Sequence, residues 1–180
     1  MALSETERVY SELLVTLVQA GDRRAAERLV ARWQPRLIRT ARRLLGNEEQ
    51  ARDAVQETWG AVFQGWLRLS DPTRFPGWVF GILHRKCVDR IRDESRRRNN
   101  AAALDPAPAV TAAVGEDSLA IAQALDGLSH DHRIAAILFF GEGLALSEIA
   151  AATGVPTGTA KSRIFHARRQ LQAALNGELP

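Results

Sequence analysis

The stretch SEIAAATGVPTGTAKSRIFHARRQLQ, residues 147–172, joins a short apolar run to a Gly-Val-Pro break, then to a basic, periodic run with no acid after the break. At 100° per residue, Ala160, Ile164, Ala167, Leu171 and Leu175 fall on one stripe, which must face a core. The opposite face carries Ser162, Phe165, His166 and Arg169, with Lys161 and Arg163 on its flanks. Pro156 stands just before or at the first turn, where its missing N–H costs nothing. Thr157 or Thr159 can cap that turn or hydrogen-bond outward. Upstream, Ile149 points inward, Ala150 permits a close helix crossing and Gly154 supplies the turn. A short helix, a turn containing glycine and a second helix make a helix-turn-helix.

In that geometry the second helix enters the major groove of a duplex. Free N–H groups at its start favour a phosphate. Lys161 and Arg163 then reach the backbone, while Ser162, Phe165 and His166 face the bases, Phe165 being suited to a thymine methyl. The competing reading is a solvated amphipathic helix with Phe165 packed on a neighbour.

Working outward, helical periodicity dominates and β-branched residues are sparse, so the expected fold is all-α. Residues 4–19 read as a helix with Leu13, Leu14, Leu17 and Val18 on one side. Asp22 caps a second helix, which Pro35 bends or interrupts and Gly46 ends. Asn47 caps a third, with Val55, Trp59, Val62, Phe63 and Trp66 as its core stripe. A loop, SDPTRFPG, leads to a fourth starting at Trp78, with Phe80, Leu83, Cys87 and Ile91 as its core stripe. Residues 99–117 are rich in alanine and proline and read as a flexible linker. Helical pattern resumes over 118–128, 130–141, 145–153 and 157–175. The expectation is two small helical domains, 1–98 and 118–176, joined by the linker 99–117, with no further domain after residue 176.

Two further surfaces carry chemistry. Residues 84–98 hold seven Lys/Arg against three acids. On that helix Arg85, Asp89 and Arg92 lie near Trp78, and rings beside cations suit a single nucleic-acid strand. Equally, Trp78 can be buried core and the arginines merely solvated. On the third helix Glu49, Asp53, Gln56 and Glu57 form an acidic, amide-bearing ridge. Such a ridge does not face DNA. It can bind a basic protein, or it can be solvated and ion-paired with arginines such as Arg52.

The runs ARDAVQETWGAVFQGW (51–66), FPGWVFGILHRKCVDRIR (75–92) and LDGLSHDHRIAAILFFGEGLALSEIAAATGVPTGTAKSRIFHARRQL (125–171) together resemble a bacterial extracytoplasmic-function sigma factor, which keeps only sigma regions 2 and 4. The resemblance covers about residues 20–98 and 118–175. It implies that region 2 docks on the clamp-helix coiled coil of the RNA polymerase β′ subunit, with Asp53, Gln56 and Glu57 matching that surface. It implies capture of a melted −10 element by the loop near Ser70–Pro76 and the helix after it, where Trp78, Arg85, Lys86, Asp89 and Arg92 stand. It implies that region 4 reads a −35 duplex through Thr157, Thr159, Lys161, Ser162, Arg163, Phe165, His166 and Arg169, and touches the β-flap. The linker matches the segment that threads toward the RNA exit path. Such factors are usually held by an anti-sigma factor.

Other classes fit less well. No Gly-rich phosphate loop and no Ser–His–Asp order suggest an enzyme. His84-x-x-Cys87 and His130-x-His132 lie in separate lobes, whereas zinc needs four ligands at close range. Neither metal nor cofactor is expected. A helix-turn-helix regulator that binds duplex DNA without polymerase is the alternative, against which the acidic ridge and the linker argue. Net charge is only +3 and 46% of residues are apolar, so a core is available and any DNA surface must come from clustering. The single cysteine excludes an internal disulfide, no apolar run is long enough to span a membrane, and MALSETERVY lacks a signal-peptide pattern. The expected location is cytoplasmic, without membrane insertion.

Overall fold

The computed structural model describes the backbone of residues 3–100 and 116–176, with side chains over 3–97 and 120–176. Residues 101–115, most of the expected linker, lie outside the described residues; 99–100 and 116–117 belong to helices. All regular structure among the described residues is helical, in two compact units.

The first unit contains α1 (Glu5–Gln19), α2 (Arg23–Leu45), α3 (Glu48–Gly65) and α4 (Phe75–Asn100). The Asp22 carboxylate accepts from the Arg24 and Ala25 amides, and the Asn47 side chain accepts from Gln50, so both expected N-caps form. α2 ends at Gly46, as expected. Pro35 does not interrupt it: the helix runs continuously from Arg23 to Leu45. Its buried stripe of Leu29, Trp33, Leu37, Ala41 and Leu44 passes through the proline without a break. Packing on that stripe outweighs the one backbone hydrogen bond that proline cannot donate.

Trp33 sits at the centre of this core, fully buried. Phe75 meets it edge-on at 5.1 Å and Phe80 at 5.9 Å. Its indole N–H donates to Ser11 Oγ on α1 at 3.2 Å. The inward stripe of α1 is therefore Ser11, Leu14, Val15 and Val18, spaced i, i+3, i+4, i+7. Leu13, expected inward, is 52% exposed, and Leu17 is also exposed. On α3, Val55, Trp59 and Val62 are buried as expected, but Phe63 is exposed and Trp66 half-buried beyond the end of the helix. The predicted loop contains two 3₁₀ turns, Trp66–Arg68 and Pro72–Arg74. α4 begins at Phe75, three residues before the expected Trp78, because Asp71 caps the preceding turn and the chain enters the helix directly.

The second unit contains α5 (Glu116–Asp126), α6 (His130–Ala136) extended by a π turn (Ile137–Gly141), α7 (Leu146–Thr153) and α8 (Thr157–Leu175). α5, α6 and α7 all pack on α8. Ala160 and Ala167 are fully buried, and with no side chain beyond Cβ they let the neighbouring helices approach α8 closely. Ile149, Ile164, Ile134, Ile137 and Leu138 fill the interior around them. Leu171 is half-buried and Leu175 is 52% exposed, so the predicted stripe stops one turn early, where α8 runs past its neighbours.

The α7–α8 turn forms as expected. Gly154 takes the left-handed conformation at φ 70°, its N–H donating to the Ala150 carbonyl. Pro156 precedes the first residue of α8 and its carbonyl accepts from Ala160. No side chain caps α8, so neither Thr157 nor Thr159 acts as the cap. A Cβ on Gly154 meets nothing within 4 Å, so the cost of Gly154→Ala is conformational alone, about 1–2 kcal/mol. Gly158→Ala, inside the first turn of α8 and equally open, should be neutral or stabilising by up to about 1 kcal/mol. Urea unfolding followed by far-UV circular dichroism should show Gly154→Ala destabilised and Gly158→Ala not; equal shifts would refute the left-handed requirement at Gly154.

Candidate nucleic-acid interface

The outer face of α8 is formed by Lys161, Ser162, Phe165, His166 and Arg169, all exposed. Phe165 is 57% exposed, so it does not pack on a neighbouring helix as core. Among the described residues Lys161, Arg168 and Arg169 make no ion pair. Arg163 differs: it forms a short hydrogen-bonded ion pair with Asp131, from the first turn of α6, and is largely covered. Thr157 is exposed and Thr159 half-buried, its carbonyl accepting from Ser162 Oγ at 2.9 Å. Uncapped backbone N–H groups therefore stand at the start of a helix without acids, and unpaired cations and an exposed ring stand along one side of it.

On α4, Arg85, Asp89 and Arg92 are exposed, and Trp78 is half-buried. Trp78 packs over Gly65, where an added Cβ would stand 3.3 Å from its ring, and tilts against Phe75 at 6.1 Å. It is thus partly core and partly presented. Arg85 and Arg92 carry no ion pair among the described residues. The loop before α4 is pinned by two devices. The Gln19 side-chain amide donates to the carbonyls of Trp66 at 2.9 Å and Leu69 at 2.7 Å. Asp71 accepts from the Thr73 hydroxyl and amide, and these bonds hold its carboxyl below the ordinary range.

Lys86 turns away from that stripe toward α3. Its ammonium lies 3.2 Å from Glu57, while Arg90 reaches both Glu57 at 2.5 Å and Asp53 at 3.6 Å. The acidic ridge therefore pairs with α4, not with Arg52, which pairs with Glu48 at 3.1 Å on its own helix. Burial pushes the Glu57 carboxyl up, but the Lys86 hydrogen bond and the fields of Arg90 and Lys86 overcome this and leave it below its usual value.

Gln56 faces the other way. It lines a groove of about 830 Å³ between α2 and α3, with Val30, Ile38, Trp59 and Phe63 among its walls. Trp59 donates its indole N–H to Gln34 at 2.5 Å, and Phe63 stacks on it at 5.9 Å. The exposure of Phe63 that broke the predicted core stripe is thus explained: it walls a groove. Within the ridge, Gln56 borders the apolar groove, while Asp53 and Glu57 belong to the ion-pair network.

Cys87 is buried and its thiol is pushed up to about 12 by that burial, against the opposing field of Arg90. Among the described residues no group of three or more His, Cys, Asp or Glu could hold a metal ion, and no helix is long and apolar enough to cross a membrane.

Both units match known sequence families: residues 29–97 match Sigma-70 region 2, and residues 118–171 match Sigma-70, region 4. The chain belongs to the sigma-70 family, among its extracytoplasmic-function RNA polymerase sigma factors. It is 34% identical over 154 residues to SigE of Mycolicibacterium smegmatis, covering 81% of this chain but only 60% of that longer protein. It is 32% identical over 171 residues to SigM of Mycobacterium tuberculosis, covering 94% and 86% of the two. Among solved structures it is similar to CnrH, in complex with the cytosolic domain of CnrY, with a TM-score of 0.69 and 26% identity over 94% of this chain and 99% of that one. It is also similar to the sigma factor RpoE in complex with the anti-sigma factor NepR from Bartonella quintana, with a TM-score of 0.68 and 26% identity over 83% and 96%.

The α3–α4 network gives a direct test. Because Glu57's folded pKa is lowered, its stabilisation is fully present above the ordinary carboxylate range near 4.5 and is lost as pH falls through the folded value. Lys86→Met should raise the Glu57 titration, followed by side-chain carboxyl NMR, and flatten the acid limb of the stability profile. An unmoved Glu57 titration would show that the pair does not persist in solution.

Proposed function

We propose that the chain carries core RNA polymerase to promoters by a two-point contact, region 4 reading a −35 duplex and region 2 holding a melted −10 strand. The single observation that carries this reading is the outer face of α8, acid-free, unpaired in charge and bearing an exposed phenylalanine. Lys161 and Arg169 supply phosphate contacts, which fix register and affinity, while Ser162, Phe165 and His166 meet base edges. Arg163 joins the phosphate contacts by exchanging Asp131 for DNA, and Thr157 and Thr159 border the helix start where a phosphate meets the free N–H groups. On α4, Arg85 and Arg92 take phosphates, the presented edge of Trp78 stacks on a base, and Lys86 and Asp89 flank that strand. Charge supports the division, since among the described residues these cations make no internal ion pair apart from Lys86 and Arg163.

Polymerase docking falls to α3. A groove walled by Trp59 and Phe63, edged by Gln56 and flanked by Asp53 and Glu57, suits the β′ clamp helices, whose apolar face enters the groove and whose cations meet the ridge. Region 4 also meets the β-flap. The domain roles follow: residues 1–98 bind polymerase and the −10 element, 99–117 tether, and 118–176 read the −35 element. That RpoE has been captured with an anti-sigma factor supports control of this chain by a similar partner.

Size-exclusion chromatography with core polymerase tests the reading. Co-elution, followed by transcription from a −35/−10 promoter, is the expected outcome. Tight, dimeric binding to duplex DNA without polymerase would favour a plain helix-turn-helix regulator. Asp53→Ala combined with Glu57→Ala should lose co-elution while keeping the helical circular-dichroism spectrum. Arg163→Ala should weaken −35 binding evenly across sequences and lower the salt slope by about one. Asp131→Asn should do the reverse in affinity, because it frees Arg163 from its internal partner.

A further inference from the structure

The outward side chains of α8 are not all free to rotate. The ring of His166 stacks on that of His132 from α6, with centroids 5.8 Å apart and planes at 24°. His132 Nδ1 also lies 3.3 Å from Gln170 Oε1, one turn further along α8. His166 in turn meets Phe165 edge-on, at 5.6 Å and 78°. One connected row thus runs from Gln170 through His132 and His166 to Phe165, and its anchor is half-buried on a different helix.

An exposed histidine has broad freedom about χ2 and several χ1 wells. Base readout needs a donor or acceptor held at one place, because the major-groove code is a pattern of positions. Stacking on His132 restricts the ring of His166. With the proton on Nδ1, His132 donates to Gln170 Oε1, which restrains His132 itself. We propose that His132, although outside the recognition helix, is a specificity-determining residue: it holds His166, and through it Phe165, in the orientation that reads the −35 bases. This rests on the reading of α8 as the −35 helix. Neighbouring Asp131 acts oppositely on Arg163, whose guanidinium it occupies until DNA displaces it.

The test uses the full chain bound to core polymerase and a set of promoter duplexes carrying every single-base change in the −35 element. Four proteins are compared: wild type, His166→Ala, His132→Ala and His132→Phe. His132→Ala should flatten discrimination at the same base positions as His166→Ala, by about tenfold where preference is strongest. Affinity for an unrelated duplex, and its salt slope, should stay unchanged. His132→Phe, which keeps a ring to stack on, should restore most of the discrimination. Thermal melting checks that the His132 variants fold.

Two results overturn the proposal. In the first, His166→Ala flattens discrimination and a folded His132→Ala does not. In the second, His132→Ala lowers affinity for all duplexes equally with a reduced salt slope, which makes it a phosphate contact. Failure of the underlying reading looks different: wild type itself then shows no −35 preference, and Phe165→Ala changes nothing.

Discussion

The dipeptide Trp33–Gln34 ties α2 to every other helix of the first unit. Trp33 is fully enclosed; its N–H is satisfied by Ser11 on α1 and its faces by Phe75 and Phe80 on α4. Gln34, the next residue, turns 100° away and accepts from Trp59 on α3. Burying an indole without a partner for its N–H would forfeit much of the gain from its area. The rest of the unit arranges around this requirement. The inward stripe of α1 contains a serine, α2 continues through a proline, and Trp59 is held at the edge of the groove with its N–H already occupied.

Charge is handled in two ways, and the difference sorts the surfaces. Lys161, Arg168 and Arg169 on α8 and Arg85 and Arg92 on α4 make no ion pair among the described residues. Between α3 and α4, Lys86 and Arg90 are matched to Asp53 and Glu57. A matched network on a half-exposed surface adds little net stability. Its effect is positional: Glu57 is held where α3 meets α4, and Lys86 is shared between the ridge and the helix that carries Trp78. Under the proposed function these two ends meet different macromolecules, so the network is the shortest physical link between polymerase and strand.

Much of this was legible in the sequence because it depends on local spacing. The caps at Asp22 and Asn47, the left-handed Gly154 and the inward Ala160, Ile164 and Ala167 each follow from a few neighbouring residues. The outward set on α8 follows from the same wheel. A wheel gives the direction of a stripe but neither its width nor its length. Leu13, Leu17, Phe63 and Leu175 lie at the margins or past the ends of packed faces, and there the expectation failed. Partners separated by 33 or 32 residues, Glu57 with Arg90 and Asp131 with Arg163, leave no periodic signal. The contacts of Gln19, Gln34 and His132 left no periodic signal for the same reason: they are made across the fold.

All four tryptophans, Trp33, Trp59, Trp66 and Trp78, and the one tyrosine, Tyr10, fall in the first unit. The second unit contains phenylalanine as its sole aromatic apart from histidine. Intrinsic ultraviolet emission of the intact chain is therefore a reporter of region 2 alone. Trp59, bonded to Gln34 and stacked on Phe63 at the groove, is placed to register an occupant there, while Trp33 registers the core. Events confined to region 4 are optically silent in this window. The two lobes come already labelled by their composition, one bright and one dark, and a spectroscopist can follow either within the whole protein without attaching a dye.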